Sequence, residues 1–376
     1  MAPALRIAAV VDDFSLGSAA REMVDRLLVG FAWNGGFRAV PKDRRVRLVA
    51  PEEAPREDIE RRARDFGLER FGSIETALDG ADAVLVAGRG RHAHVPSSHI
   101  EGVLSTLSRG GRAFVLGPLG PDAATAKRRL SLAEGRGLRL LAGGYPATSW
   151  RLPAVDVPAR TPLREALVVT VGETGEAEFL AVETLLPLVS LRAGGETGVR
   201  AITARTGAGI WSTDPRPPDP RGLLSSALSR SSRPQGNALR DGRTEDLVGL
   251  GLVPQIAREP VFYEIEHEDG LRSIVLVLNG VCGELNFAID TAAGDRIAAQ
   301  IYHTPPPYAR HLDPLAERVE RFFSEGSLLW SPHRCLLGAA LLGAMRSARN
   351  AAGQRTETPD LRVAFEATSS GEFGGP

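Results

Sequence analysis

"ADAVLVAGRGRHAHVPSSHIEGVLSTLSRGGRAFVLGPLG", residues 81–120, holds two short apolar runs, one from Ala81 and one from Arg112 to Leu116, on either side of a helical pattern. That pattern opens at Ser97 or Ser98 and puts Ile100, Val103, Leu104 and Leu107 on one face. Neither run alternates apolar with polar residues, so each strand is expected to be covered on both faces, the condition of a parallel sheet flanked by helices. The second run breaks at Gly117 and Pro118, where the carboxyl end of a strand meets a turn. Ligands of open α/β sheets sit at such ends.

The same rhythm extends outward. "RIAAVV" (6–11) reads as a strand, and after it Met23, Val24, Leu27, Leu28 and Phe31 share a helical face with Ser18 as N-cap. "VRLVA" (46–50) is another strand; a further helix opens at Asp122, and "LRLLAG" from Leu138 is the last strand of the series. Residues 1–145 are therefore expected to form a Rossmann-like doubly wound domain. Beyond them the rhythm changes: "EALVVTVG" from Glu165, "VRAITART" from Val199, "VFYEIEHEDGLRSIVLVLNG" from Val261, "GELNFAID" from Gly283 and "RIAAQIYH" from Arg296 are mainly strands, with a hairpin at "HEDGLRS". Residues 146–368 are expected to be an α+β domain with a large, mainly antiparallel open sheet and helices at 314–324 and 334–348. The Pro-, Ser- and Arg-rich stretch 212–246 reads as a mobile insertion, a lid or an oligomer contact, and 369–376 as a disordered tail.

Composition narrows the function. The 376 residues are 43% hydrophobic with a net charge of −1, which allows a large core and gives no general attraction to nucleic acid or anionic membrane. Two cysteines, Cys282 and Cys335, suit a reducing cytoplasm rather than a disulfide framework. The opening "MAPALRIAAVV" shows no secretory signal, and "CLLGAALLGAM" is too short to span a bilayer, so a soluble, cytoplasmic protein is expected. Only Lys42 and Lys127 among the 45 basic residues are lysines, which leaves almost no candidate for a lysine acid, base or Schiff base.

Candidate binding residues stand at the expected strand ends. The loop "DDFSLGS" (12–18) offers one glycine, Gly17, and the hydroxyls of Ser15 and Ser18 at a helix start, a place where backbone N–H groups can meet a phosphate, although Asp12 and Asp13 oppose its charge. Glu52 and Glu53 follow the second strand, where an acid can hold ribose hydroxyls or simply face solvent. Arg89, Arg91, His92 and His94 follow "ADAVLVAG", a cation cluster suited to phosphate or carboxylate, with no neighbouring carboxylate or cysteine to complete a metal site.

The frame 81–144, together with "PATSWRLPAVDVP", "GGETGVRAI", "TGAGIW", "DGLRSIVLVLNG", "TPPPYAR" and "TETPDL", resembles the glucose-fructose oxidoreductase, inositol dehydrogenase and rhizopine-catabolism (Gfo/Idh/MocA) family over most of the chain, in particular bacterial members without the full glycine fingerprint. The resemblance implies a dinucleotide cofactor, NAD or NADP, held by Asp12, Ser15, Gly17, Ser18, Glu52, Arg89, His92 and Pro118, a small polyol-like substrate, and a homo-oligomer paired through the second-domain sheet. In redox members the stretch aligned with "VLGPLG" reads cysteine-glutamate-lysine-proline-leucine. Here Pro118 and Leu119 match, Leu116 replaces the glutamate and Gly117 the lysine. The family histidine falls in "GEAEFLAVETL", where Leu180 stands between Glu178 and Glu183.

With that acid/base pair replaced, Glu183, Tyr145, His94 and His303 are the candidate catalytic groups, Tyr302 stands beside His303, and Trp150 and Arg151 are the candidate substrate contacts. Each has a structural alternative as a capping or core-edge polar group. Three readings stay open: an oxidoreductase with replacement groups, a redox-inactive partner, scaffold or ligand-binding member, and a non-redox lyase or hydrolase using the same cleft. His267, His311 and His333 are assigned no role.

Overall fold

The computed structural model describes residues 5–89, 95–211, 220–231, 246–304 and 309–367. It divides into two compact units, one built from the chain up to 149 with 303–336, the other from 150–302 with 337–373.

The first unit begins with β1 (Ile7–Val11), α1 (Ala19–Leu28), β2 (Gly30–Trp33), β3 (Gly36–Ala39), β4 (Val46–Val49), α2 (Arg56–Phe66), β5 (Leu68–Arg70) and α3 (Ile74–Leu78). It continues through β6 (Ala83–Ala87), α4 (Ser97–Thr106), β7 (Arg112–Leu116), α5 (Ala123–Gly135) and β8 (Arg139–Gly143). Six of these strands form a parallel sheet in the order β5-β4-β1-β6-β7-β8. Renumbered within the sheet, that is the Rossmann order 3-2-1-4-5-6, whose reversal point lies between β1 and β6. Every residue of β1 and β6 is buried, as runs without alternation require. Ser18 caps α1 through Oγ, which accepts from Arg21 N at 3.3 Å, and Asp122 caps α5, accepting from Thr125 N at 2.8 Å.

One expectation fails early. Phe31 is not on the face of α1: the helix ends at Leu28, and Phe31 lies in β2 of a separate two-stranded hairpin with β3. The hairpin turns at Asn34-Gly35, both with positive φ (47° and 74°), as a two-residue primed turn demands. Gly30 is required as well: at φ 101°, a Cβ there would meet Arg38 O at 2.2 Å.

Residues 303–336, which the sequence reading groups with the second domain, pack in the first unit, including α9 (Asp313–Glu325). Ion pairs and hydrogen bonds hold them: Arg26 with Asp313 at 2.8 Å, Arg38 with Glu317 at 3.0 Å, Arg44 with Glu320 at 2.8 Å, and Trp330 Nε1 donating to Ala142 O at 3.1 Å.

The second unit contains β9 (Arg151–Leu152), β10 (Leu163–Thr170), α6 (Thr174–Ser190), β11 (Val199–Thr206), α7 (Pro220–Leu228), α8 (Val253–Ile256), β12 (Arg258–His267), β13 (Arg272–Asn279), β14 (Asn286–Thr291) and β15 (Arg296–Ile301). Most of α10 (Pro332–Asn350) and β16 (Arg355–Glu357) complete it. Its eight-stranded sheet runs β16-β11-β12-β13-β10-β14-β15-β9, antiparallel except for β10 beside β13.

The segment expected to be a mobile insertion or lid contributes a core helix instead. Leu223, Leu224, Ala227 and Leu228 of α7 are buried with Leu167 and Val169 of β10 and Ile274, Leu276 and Leu278 of β13. The i, i+1, i+4, i+5 spacing of those four residues forms an apolar stripe. Residues 212–219 and 232–245 of that segment, and the 369–376 tail, lie outside the described residues. Alternate residues of β10, Ala166, Val168 and Thr170, are buried on the opposite face, where α6 packs against the strand. Every residue of β14 and all but the ends of β13 are buried too.

One end of the sheet is polar. Glu165, fully buried, faces Arg272 across the ladder at 3.3 Å and has no hydrogen-bond partner among the described residues. Arg272 also holds Glu264 at 2.7 Å, while Asp290, paired in register with Glu165, is gripped by Arg296 at 2.6 Å and Arg164 at 3.1 Å. Burial, with Asp290 and Glu264 adding to it, outweighs Arg272 and Arg164 and pushes the Glu165 carboxyl up to about 7.

Candidate functional site

In the first unit the carboxyl ends of β1, β4 and β6 bring the candidate binding residues together. Asp12 follows β1 and donates its N–H to Ala87 O at 3.0 Å, which holds the two central strands together at the reversal point. The loop then turns on itself: Ser15 N donates to Asp13 Oδ1 at 2.8 Å, Ser18 N donates to Ser15 O at 3.1 Å, and Gly17 takes φ 79°. Phe14 anchors the loop from beneath, 1% exposed and 5.7 Å from the Arg62 guanidinium.

Arg89, two residues past β6, crosses this mouth. It lies 3.6 Å from Asp12 Oδ2 and 3.3 Å from Glu53 Oε1, so it joins the ends of three strands and offsets the negative charge expected to oppose a phosphate. Of the pair after β4, Glu53 is the residue that reaches Arg89; Glu52 beside it is exposed. His99, in the first turn of α4, belongs here as well. Burial lowers its pKa, the Asp12 charge opposes that, and its Nδ1 has no hydrogen-bond partner among the described residues. The sequence reading passed over His99 in favour of His92 and His94, which lie outside the described residues along with Arg91.

At the ends of β7 and β8 the backbone favours glycine at position 117. Gly117 has φ 147°, a conformation that favours glycine, and its N–H reaches both Val115 O at 3.0 Å and Gly143 O at 3.1 Å. Pro118 follows, half-buried, and Arg129 locks the loop by donating to Leu119 O at 2.8 Å while pairing with Glu101 at 3.0 Å. Two residues beyond Gly143 stands Tyr145, which is 3% exposed. Tyr145 therefore follows the strand that pairs with the one ending at Leu116.

Around Tyr145 the structure assembles two imidazoles. The ring of His303 lies 5.6 Å from that of Tyr145 and the ring of His311 4.5 Å, with 4.1 Å between the two histidines. Thr304 N–H donates to His311 Nδ1 at 3.3 Å, and Thr304 Oγ1 lies 3.0 Å from the same nitrogen. A neutral His311 therefore carries its proton on Nε2. Tyr145 and His303 were read as candidates; His311 was not. A phenol beside two imidazoles can hold and pass a proton.

The remaining candidates lie in the second unit. Arg151 is buried, with its guanidinium against the Asp156 carboxylate, 3.5 Å from Val155 O and 5.2 Å over the Phe287 ring, and burial pulls its pKa down to about 10. Trp150 packs edge-on against Tyr302 at 5.7 Å. Glu183 is 4% exposed within α6, and Leu180 is buried to the same degree. Glu178, flanking Leu180, is held by the Tyr263 hydroxyl and Arg349.

A serine-histidine-glutamate set that the sequence did not reveal also lies here. His267 Nε2 is 2.9 Å from Ser273 Oγ and its Nδ1 is 3.0 Å from Glu196 Oε1. Burial works against ionisation of Glu196, but His267 and Arg192 outweigh it and hold the carboxyl down to about 2. Ser273 and His267 are 0% exposed, so no substrate reaches the hydroxyl and the set pins the β12–β13 hairpin. Among the described residues no group of three His, Cys, Asp or Glu side chains is placed to hold a metal ion, and no helix is long and apolar enough to cross a membrane.

The fold is shared with solved oxidoreductases at low identity. GenD2 from gentamicin A biosynthesis, in complex with NAD, is 15% identical, with 94% of this chain and 97% of that chain covered at a TM-score of 0.56. The myo-inositol dehydrogenase of Lactobacillus casei, in complex with NAD(H) and myo-inositol, is 14% identical over 94% and 96% of the two chains at 0.54. The biliverdin reductase of Synechocystis sp. PCC 6803, with biliverdin and NADP+, is 13% identical over 92% and 99% at 0.53. No family model and no curated protein sequence matches the chain.

Proposed function

We propose that the chain is an NAD(P)-dependent oxidoreductase of the Gfo/Idh/MocA type acting on a sugar, cyclitol or related small metabolite, with Tyr145, His303 and His311 in place of the usual lysine and histidine. The observation that carries this reading is the position of Tyr145 at the end of β8, two residues past the glycine bridged to Gly117 and packed against two imidazoles. The residues at the mouth of β1, β4 and β6 fit a dinucleotide. Gly17 allows close backbone approach at the start of α1, Ser15 and Ser18 flank it, Arg89 balances Asp12, and Glu53 is the acid after β4 that would hold ribose hydroxyls. When bound, a nicotinamide supplies hydride acceptance or donation. Tyr145 is then the group that takes the hydroxyl proton as a phenolate or returns one as a phenol, and His311, oriented by Thr304, stabilises the phenolate form.

A second reading, a redox-inactive ligand-binding member, is favoured by Gly117 alone, because the lysine position has adopted a glycine backbone. Titration of the purified protein with NAD(H) and NADP(H), after a check for co-purified cofactor, separates the two. Saturable micromolar binding, followed by polyol turnover that falls about 10²- to 10⁴-fold in Tyr145→Phe, supports the oxidoreductase. Absence of binding at millimolar cofactor eliminates it.

A further inference from the structure

Away from the strand ends, the first unit holds a cleft of about 440 Å³ between the end of α1, the β2–β3 hairpin and α2, bordered by Arg310 and Asp313. Small-molecule sites occupy roughly 300–1,000 Å³ and combine apolar walls with a few placed polar groups. Phe31 supplies an apolar wall, and Phe66, 45% exposed, supplies aromatic surface at the rim. Four arginines line the cleft against two aspartates, Asp25 and Asp313.

The buried arginines neutralise those aspartates. Arg62 grips Asp25 through Nε and Nη2, both at 2.6 Å, and gives Nη1 to Asp58 O at 3.1 Å. Arg26 donates to Asp313 at 2.8 Å, to Glu22 Oε2 at 3.0 Å and to Ala309 O at 2.7 Å. Arg61 and Arg310 differ: their side chains are 57% and 58% exposed, and each has one carboxylate contact among the described residues, Arg61 with Asp58 and Arg310 with Asp313 at 3.5 Å. A guanidinium has five N–H donors, so both keep donors for a ligand. We infer that this cleft binds a small amphipathic anion, an aromatic or apolar body carrying a phosphate or carboxylate, with its body on Phe31 and Phe66 and its charge between Arg61 and Arg310.

Calorimetric titration of the full chain with phenyl phosphate at low salt, beside inorganic phosphate, tests the site. The expected result is saturable phenyl phosphate binding with a dissociation constant below about 1 mM, weakened at least about tenfold in Arg61→Gln/Arg310→Gln. The double variant is expected to melt like the parent, because both side chains are more than half exposed. Phe66→Ala, which leaves every charge in place, is expected to weaken phenyl phosphate while leaving inorganic phosphate unchanged. Binding that survives the double variant, equal affinity for the two probes, or no saturable binding overturns the inference.

Discussion

Glu165→Gln is expected to stabilise the protein in neutral and alkaline solution and not in acid. The native carboxyl, buried against Arg272, titrates at about 7 instead of the ordinary value near 4.5. The folded state thus holds its proton more tightly than the unfolded chain. Below about pH 4 both states are largely protonated and no charge is buried at Glu165. As pH rises through 4.5 the unfolded chain ionises while the folded one does not, so stability falls until the native group ionises near 7. A tenfold preference is worth ~1.4 kcal/mol, so the full cost above neutrality is ~3 kcal/mol. Glutamine fills the same volume without a titrating proton. The attraction of Arg272 for the ionised carboxylate is already contained in the value near 7, and Arg272 also has Glu264 at 2.7 Å. Urea unfolding of both proteins in steps from about pH 4 to pH 8 reads the effect directly, because the titrations of groups remote from Glu165 cancel in the difference. The stability of the variant relative to the parent should climb by ~3 kcal/mol across that range. A difference that is flat with pH, or that falls, refutes the burial argument.

Leu223→Ala should cost about 2–5 kcal/mol in the same unfolding measurement, because the side chain is fully buried between α7 and the sheet; a loss below about 0.5 kcal/mol would mean that α7 is not part of the core. Gly117→Ala should destabilise by about 1–3 kcal/mol, since the 147° φ disfavours any side chain, and Gly117→Lys should show no gain of turnover in a polyol assay. Arg89→Ala should leave the melting temperature nearly unchanged, as its own side chain and that of Glu53 are mostly exposed, yet weaken dinucleotide binding about tenfold by calorimetry. Unaltered affinity would remove Arg89 from the binding site.

The parallel sheet was legible because its strands are buried on both faces and show it as apolar runs; the helix starts at Ser18 and Asp122 were legible from their capping side chains. The hairpin β2–β3 announced itself in Asn34-Gly35, but the preceding helical spacing carried the reading past it to Phe31. β5, β9 and β16, of two or three mostly polar residues, have no periodicity to detect and exist because neighbouring strands offer them edges. The stripe of α7 was present at 223, 224, 227 and 228, but the surrounding proline, serine and arginine masked it. In the site, Tyr145 and His303 stood out by lying at strand ends, whereas the approach of His311 to both is a tertiary fact with no local signal. The Glu53 partner of Arg89 was equally invisible, since either neighbouring glutamate satisfied the pattern.

The helix laid across the large sheet has a kinetic consequence. An apolar sheet that waits for a second molecule completes its folding by collision, and its midpoint of unfolding moves with concentration. Here α7 arrives on the same chain, so closing that surface is a first-order event. Docking of α7 on the sheet should then proceed at a rate indifferent to dilution, and the time during which its strands stand uncovered, when aggregation competes, is set by how soon α7 docks.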